Sequence, residues 1–339
     1  MARIAPIFIV ALLTLSCGRD KVRVDGIPSQ PVSTGAVMEI VAVVDSSLYS
    51  EQTTAALYKY LSPVMHGLPQ KERQGRLYVI PRSSFSRTYR TMRNLVLVER
   101  SDSLPGMIAS HDVYAAPQNV FTVKAPDRPT LLEQLEKSGP YIFGAIRQNA
   151  IETLQEKFAR IDNRHLKTVS ALGIGLNIPN YYHVARSEKD FVWLTRDISK
   201  NGVKGTANLM IYKTRYGRAN DIPEFTHRDI LDLRDTVARR YVHGPADGSY
   251  MAIEKKAVLP LQGGAELSGI PVTATYGFWR TQGDFMGGPF INYCAIDPSK
   301  GVAYCADGFV YLPFEEKGAF MLEMEAILRT FTVPSLLQK

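Results

Sequence analysis

The chain has 339 residues, a net charge of +7, 45% apolar and 22% charged side chains, and three cysteines. That is the balance of soluble globular protein, long enough for two ordinary domains, and it sets aside a disordered or low-complexity polymer. The apolar run 4–15 would span about 18 Å as a helix, short of the roughly 30 Å hydrocarbon core, so it is no transmembrane helix.

At the N-terminus, Met1-Ala-Arg carries one positive charge, residues 4–15 are almost wholly apolar, and Thr14-Leu15-Ser16 leads into Cys17. These are the three parts of a secretory signal. The stretch resembles a bacterial lipoprotein signal peptide, with Thr14 where such signals usually carry Leu, Val or Ile and Leu13 one place further back. The resemblance implies cleavage after Ser16, a diacylglyceryl thioether on Cys17, and a further acyl chain such as palmitate on the new amine. Each buried CH₂ contributes about 0.8 kcal/mol, so two or three chains anchor firmly where one does not. The alternative is an ordinary cleaved signal in which Cys17 is incidental. Residues 1–16 are thus read as signal and 17–36, rich in Gly, Pro, Ser and Val, as a lipidated flexible tether.

The charge is unevenly spread. Between Lys71 and Arg100 eight basic residues face only Glu72 and Glu99, and Lys200, Lys204, Lys213, Arg215 and Arg218 have no acid between Asp197 and Asp221. In an exported protein such density points to lipid headgroups or anionic glycans rather than nucleic acid. Arg82, Arg87, Arg90 and Arg93 are the candidate anion-binding residues, against the plainer reading of a solvated face.

Residues 37–44 form a β-branched apolar run, the pattern of a buried central strand. Ser50 offers an N-cap, and Leu57, Leu61, Val64 and Met65 share a helical face ended by Gly67 and Pro69. Strands are expected at 76–80 and 94–99, with Phe85, Tyr89 and Met92 on one helical face between them. Two more strands are expected near 107–115 and 119–124. A long helix follows, broken at Gly139-Pro140, with Ile142, Ile146, Ala150, Leu154, Phe158 and Ile161 as its apolar stripe. This alternation predicts an α/β domain over 37–164 with a mixed sheet.

From residue 165 the texture changes to strands. Leu172, Ile174, Leu176 and Ile178 alternate with small or polar residues, and strands are expected at 191–197, 207–213, 250–259, 271–279, 289–296 and 302–312. Thr226-His-Arg-Asp229 resembles a capping box opening a helix with Ile230, Leu233, Val237 and Tyr241. A final helix places Phe320, Met324, Ile327, Leu328 and Phe331 on one side. The expected second domain, 165–333, is α+β with a mainly antiparallel sheet, and 334–339 is a tail.

Several short stretches look like one uncharacterised family of Bacteroidota-type envelope lipoproteins. They are the lipidated start, Val43-Val44-Asp45, His66-Gly67-Leu68-Pro69-Gln70, Val113-Tyr114-Ala115-Ala116-Pro117-Gln118, Gly287-Gly288-Pro289-Phe290, and the closing strand and helix. That family has no assigned activity to carry over. The strand order of the second domain is loosely similar to the PsbP-like fold, a topology analogy that lends no function. Acidic residues tend to follow the lipid cysteine in surface-exposed members. Gly18-Arg19-Asp20-Lys21 is net basic, which favours an outer membrane location facing the periplasm.

Cys294 and Cys305 flank Asp297-Pro-Ser-Lys-Gly301, which is turn chemistry. Pairing Asp297 with Val302 sets Cys294 opposite Cys305; if that closing pair is hydrogen-bonded, alternation makes the cysteine pair non-hydrogen-bonded, where Cα atoms approach to about 4.5 Å. A disulfide is expected there, with two unpaired thiols as the alternative. His66, His111, His165, His183, His227 and His243 show no metal-ligand spacing, and no cofactor or metal is expected. The stretch from Trp279 to Phe290 brings together an indole, a guanidinium, a carboxylate and glycines, as sugar and peptide sites do, although glycine and proline also simply make turns. Trp279, Arg280 and Asp284, with Asp45 at the end of the first strand, are the candidate ligand-binding residues. With no catalytic motif, the expected activity is binding or scaffolding at the envelope. The alternative is an enzyme on envelope glycan or peptide, for which Asp45, Asp284 and Arg280 would be the first residues to change.

Overall fold

The computed structural model describes residues 30–161, 163, 165–216 and 227–337. The signal segment, Cys17, residues 17–29 of the tether and Thr226 of the capping box lie outside the described residues. The first domain runs β1 (Glu39–Val44), α1 (Glu51–Leu61), β2 (Arg76–Pro81), α2 (Arg87–Arg90), β3 (Asn94–Arg100), β4 (Gly106–His111), β5 (Asn119–Ala125) and α3 (Arg128–Ala159). Its sheet has the order β2-β1-β3-β5-β4, parallel except for β4. The apolar run of β1 makes it a central strand, and the Ser50 hydroxyl caps α1 by accepting from the Thr53 N–H at 3.1 Å.

Three helix expectations need correction. α1 ends at Leu61, ahead of Pro63, so Val64 and Met65 lie beyond it and Val64 instead bridges to Arg73. α3 runs unbroken through Gly139-Pro140. Pro140 lies on the exposed side, where water can satisfy the carbonyl it leaves without a donor, and Gly139 is buried against Tyr60 of α1. A Cβ on Gly139 would come within 2.5 Å of the Tyr60 Cβ, so the glycine serves helix packing rather than helix termination. Between β2 and β3 the expected helix shrinks to the single turn α2. Phe85, Tyr89 and Met92 still pack on Val41, Val43, Leu95, Leu97 and Val120, the sheet face turned away from α1 and α3.

The second domain continues with α4 (Leu166–Ser170), β6 (His183–Glu188), β7 (Phe191–Lys200), β8 (Val203–Arg215), α5 (His227–Tyr241), β9 (Tyr250–Ile253), β10 (Leu261–Leu267), β11 (Ile270–Gln282), β12 (Gly287–Asp297), β13 (Val302–Tyr311) and α6 (Gly318–Leu328). All pairings are antiparallel in the order β10-β11-β12-β13-β8-β7-β6, with β9 added alongside β11. The chain is therefore an α/β domain followed by an α+β domain. The alternation at 172–178 is real as burial but not as a strand. Leu172, Ile174, Leu176 and Ile178 are buried, while the backbone pairs at one bridge, Gly175 with Thr332. The β12–β13 register matches the turn chemistry: Asp297 faces Val302, and Cys294 and Cys305 face each other, disulfide-bonded, with Cα atoms 4.2 Å apart.

One apolar core runs continuously from the first sheet through α1, α3 and α6 to one face of the second sheet. α5 covers the other face of the second sheet with a separate core around Trp279, Phe290 and Phe309. The end of the expected tether is seated rather than free. Thr34 N–H donates to the Thr91 carbonyl at 2.7 Å, Ser33 N–H to Ala116, and Ala116 N–H back to Pro31.

Candidate functional site

The second sheet reaches the first domain at one close approach. His66-Gly67 turns with Gly67 at φ +83°, and a Cβ there would lie 2.6 Å from the Gly277 carbonyl oxygen in β11. Only glycine combines that backbone angle with that approach. Two residues past the Gly67–Gln70 stretch, Glu72 reaches into the second domain. Its Oε1 accepts the Lys317 N–H at 2.6 Å and the Gly318 N–H at 2.5 Å, so an acid of the first domain caps the N-terminus of α6. Burial raises the Glu72 pKa above the ordinary carboxylate value, outweighing those two donors.

Between these contacts lies a pocket of about 270 Å³. The 62–75 connection supplies Met65, His66 and Gln74, and α3 supplies Arg147. Strands β10 to β12 supply Leu261, Tyr276, Phe290 and Ile291, and α6 supplies Gly318, Met321, Leu322 and Glu325. Glu325 is fully buried and takes two guanidiniums. Arg147 Nη1 donates to its Oε1 at 2.6 Å while Arg147 Nη2 holds the other oxygen, and Arg329 Nη2 lies 3.0 Å from Oε1. Two cations on one anion leave the Glu325 cluster with one positive charge in excess; Arg147 lines the pocket with 23% of its side-chain surface exposed, while Arg329 holds Glu325 from outside the lining. The Tyr276 hydroxyl lies 3.3 Å from that of Tyr293, and burial raises both pKa values, so both remain protonated donors at neutral pH. Of the remaining lining, Met65, Leu261, Phe290, Ile291, Met321 and Leu322 are apolar, and His66 and Gln74 are polar.

The residues singled out from sequence lie elsewhere. Trp279 is buried and lines a smaller cavity of about 70 Å³ with Trp193, Phe309 and Tyr311. Arg280, next along the strand, is exposed and pairs with Glu254 at 2.9 Å. Asp284 sits in the β11–β12 turn, where its carboxylate accepts the Phe285 N–H at 2.6 Å. Asp45 accepts from the Ser47 N–H and hydroxyl at the end of β1, which holds its pKa below the usual range. Neither described cavity includes Arg280, Asp284 or Asp45, so the structure does not assemble these four into one site. Of the candidate anion-binding residues, Arg82 pairs with Glu99 at 3.3 Å, Arg87 and Arg90 are exposed on α2, and Arg93 is half-buried.

Arg147, Tyr276 and Glu325 escape sequence reading because no motif joins positions so far apart. One signal was available: Glu325 falls on the apolar stripe of α6, four residues before Arg329, and a buried acid demands a partner.

Residues 33–159 match DUF8532 and residues 162–330 match DUF4837, both described as domains of unknown function. Each domain thus matches a family model that carries no assigned activity. No curated protein matches it in sequence. Among solved structures, LpqN of Mycobacterium tuberculosis, described as involved in cell envelope biogenesis, is 12% identical, over 47% of this chain and 82% of its own, with a TM-score of 0.28. Human StAR-related lipid transfer protein 5 is 9% identical, over 58% of this chain and 99% of its own, with a TM-score of 0.18. Scores this low establish no common fold.

Proposed function

We propose that the chain is a lipid-anchored envelope protein of the Bacteroidota-type lipoprotein class. In this reading Cys17 holds it to the outer membrane on the periplasmic side, and the pocket between the domains binds an apolar molecule with an anionic head. The observation that carries the binding reading is the unequal charge at Glu325, with two arginines on one carboxylate beside an apolar wall. An anionic head would take the exposed part of Arg147 with the Tyr276 hydroxyl, and the methionine and leucine wall would hold its chain. A cavity of 150 Å³ accommodates benzene, so the present volume suits about ten to twelve heavy atoms. Hydrolysis of a glycan needs two carboxylates at a set separation. The described lining holds one, already engaged, which favours binding over catalysis.

Decanoate matches that size and charge. Titration of the purified chain with decanoate, decanol and decyltrimethylammonium should give binding in that order of strength. Decanoate should lead decanol by about tenfold or more, as for a hydrogen bond to a charged group. R147M should erase the preference and leave decanol unchanged. Equal affinity for the anionic and cationic probes, or an unaltered preference in R147M, would overturn the reading.

A further inference from the structure

The sheet face of the first domain opposite α1 and α3 carries arginines, aromatic rings and exposed valines together. Phe85 and Tyr114 meet edge to face at 5.8 Å, and the Arg90 guanidinium lies 5.5 Å from one ring centroid and 5.9 Å from the other. Arg87 and Arg90 are exposed, and among the described residues no carboxylate forms an ion pair with either. Arg82 is matched by Glu99, and the nearby acid Asp112 accepts the Gln118 N–H at 2.7 Å. In the adjoining 112–118 loop, whose Gln118 amide donates to the Arg90 carbonyl at 2.6 Å, Val113 is 44% exposed, and Val32 is 77% exposed. Val32 bridges to Ala116, and Gln30, the first described residue, donates to the Asp112 carbonyl at 2.6 Å. The first described residue of the chain therefore sits at this face.

We infer that this face seats on an anionic bilayer surface, with Arg87 and Arg90 over the headgroups and Val32 and Val113 against their apolar boundary. Two observations choose a membrane over a soluble glycan. The first is the pairing of unmatched cations with exposed aliphatic side chains, the composition of an interfacial surface. The second is the position of the chain end. Twelve residues, 18–29, separate Cys17 from Gln30, and a chain of that length can span at most roughly 45 Å, so an anchor at Cys17 would keep the face within that distance of the bilayer. The orientation rests on the anchored reading proposed above, whereas the affinity of the face for anionic lipid does not.

The test uses the purified, unlipidated full chain, whose outcome is independent of Cys17 acylation. Co-sedimentation is compared on phosphatidylcholine vesicles with and without phosphatidylglycerol. The N-terminal stretch, with its apolar run and its own basic residues, contributes equally in wild type and variants, so the change caused by R87Q/R90Q reads the basic face. The wild type should prefer anionic vesicles, with the preference falling as salt rises. R87Q/R90Q should lose about fivefold per arginine, and V32S/V113S should weaken binding several-fold without changing the salt dependence. Equal binding to both vesicle types would overturn the inference. So would retention on an anionic polysaccharide that depends on the arginines but not on the valines.

Discussion

Two arginine–carboxylate clusters occupy opposite faces of the second sheet, and they differ in stoichiometry and in access to water. On the α5 face, Arg234 grips Asp307 with both Nε and Nη2, at 2.6 and 3.1 Å, with side chains 1% and 0% exposed. Asn292, directly across the β12–β13 ladder, donates to the same carboxylate at 3.2 Å, and the Phe290 ring lies 3.7 Å from the guanidinium carbon. That pair is balanced and closed. On the α6 face, Glu325 is equally buried, but its two arginines reach the pocket and the surface. A sheet can thus use the same chemistry on one side to fix its packing and on the other to present charge.

The largest expected effect comes from unbalancing the closed pair. D307N leaves the Arg234 charge buried without its counter-ion and should cost about 3–5 kcal/mol of unfolding free energy, read from urea denaturation. Burial raises the Asp307 pKa, against the pull of Arg234. A loss under about 1 kcal/mol would mean that water reaches Arg234 and that the cluster is not closed.

E325Q should cost less, about 1–2 kcal/mol, because Arg147 and Arg329 retain partial exposure and Arg329 also holds Gln148 at 2.7 Å. It should also tighten decanoate binding, since both guanidiniums then lack a counter-charge. Equal destabilisation in the two variants would remove the distinction between the faces. Tighter binding without strong destabilisation would sharpen it.

How much of this was readable in advance follows the range of the interactions. The hairpin that joins Cys294 to Cys305 was legible because turn residues set its register and counting does the rest. The central strand and the stripe of α3 were legible because burial imposes a local period. Gly139-Pro140 misled because local propensity says stop, while packing on Tyr60 and an exposed proline ring permit the helix to continue. The pocket was hidden for a different reason: His66, Arg147, Tyr276 and Glu325 share no spacing and meet only through the docking of two domains. Asp307, an acid in an otherwise apolar strand, was a visible anomaly whose partner, 73 positions earlier, was not.

The smallest effect concerns the acid that joins the domains, set against one that does not. Asp127 and Glu72 both accept backbone N–H groups at helix N-termini, of α3 and α6 respectively. Asp127 is solvated, and the Thr130 N–H lowers its pKa, so its contribution is present above the unfolded value and lost as pH falls through the folded one. Glu72 is buried, and its pKa is raised above the model-peptide value of 4.5. As pH falls from neutral through the folded pKa towards 4.5, the folded protein takes up a proton that the unfolded chain does not, and Glu72 then adds to stability. Above that window the contribution is lost. E72Q cannot titrate, so the wild type should gain on the variant as pH is lowered from 7 towards 4.5 in paired denaturation curves. A wild type that instead loses ground on acidification would show that the α6 N–H groups outweigh burial, and that the contact between the domains behaves like the exposed cap of α3.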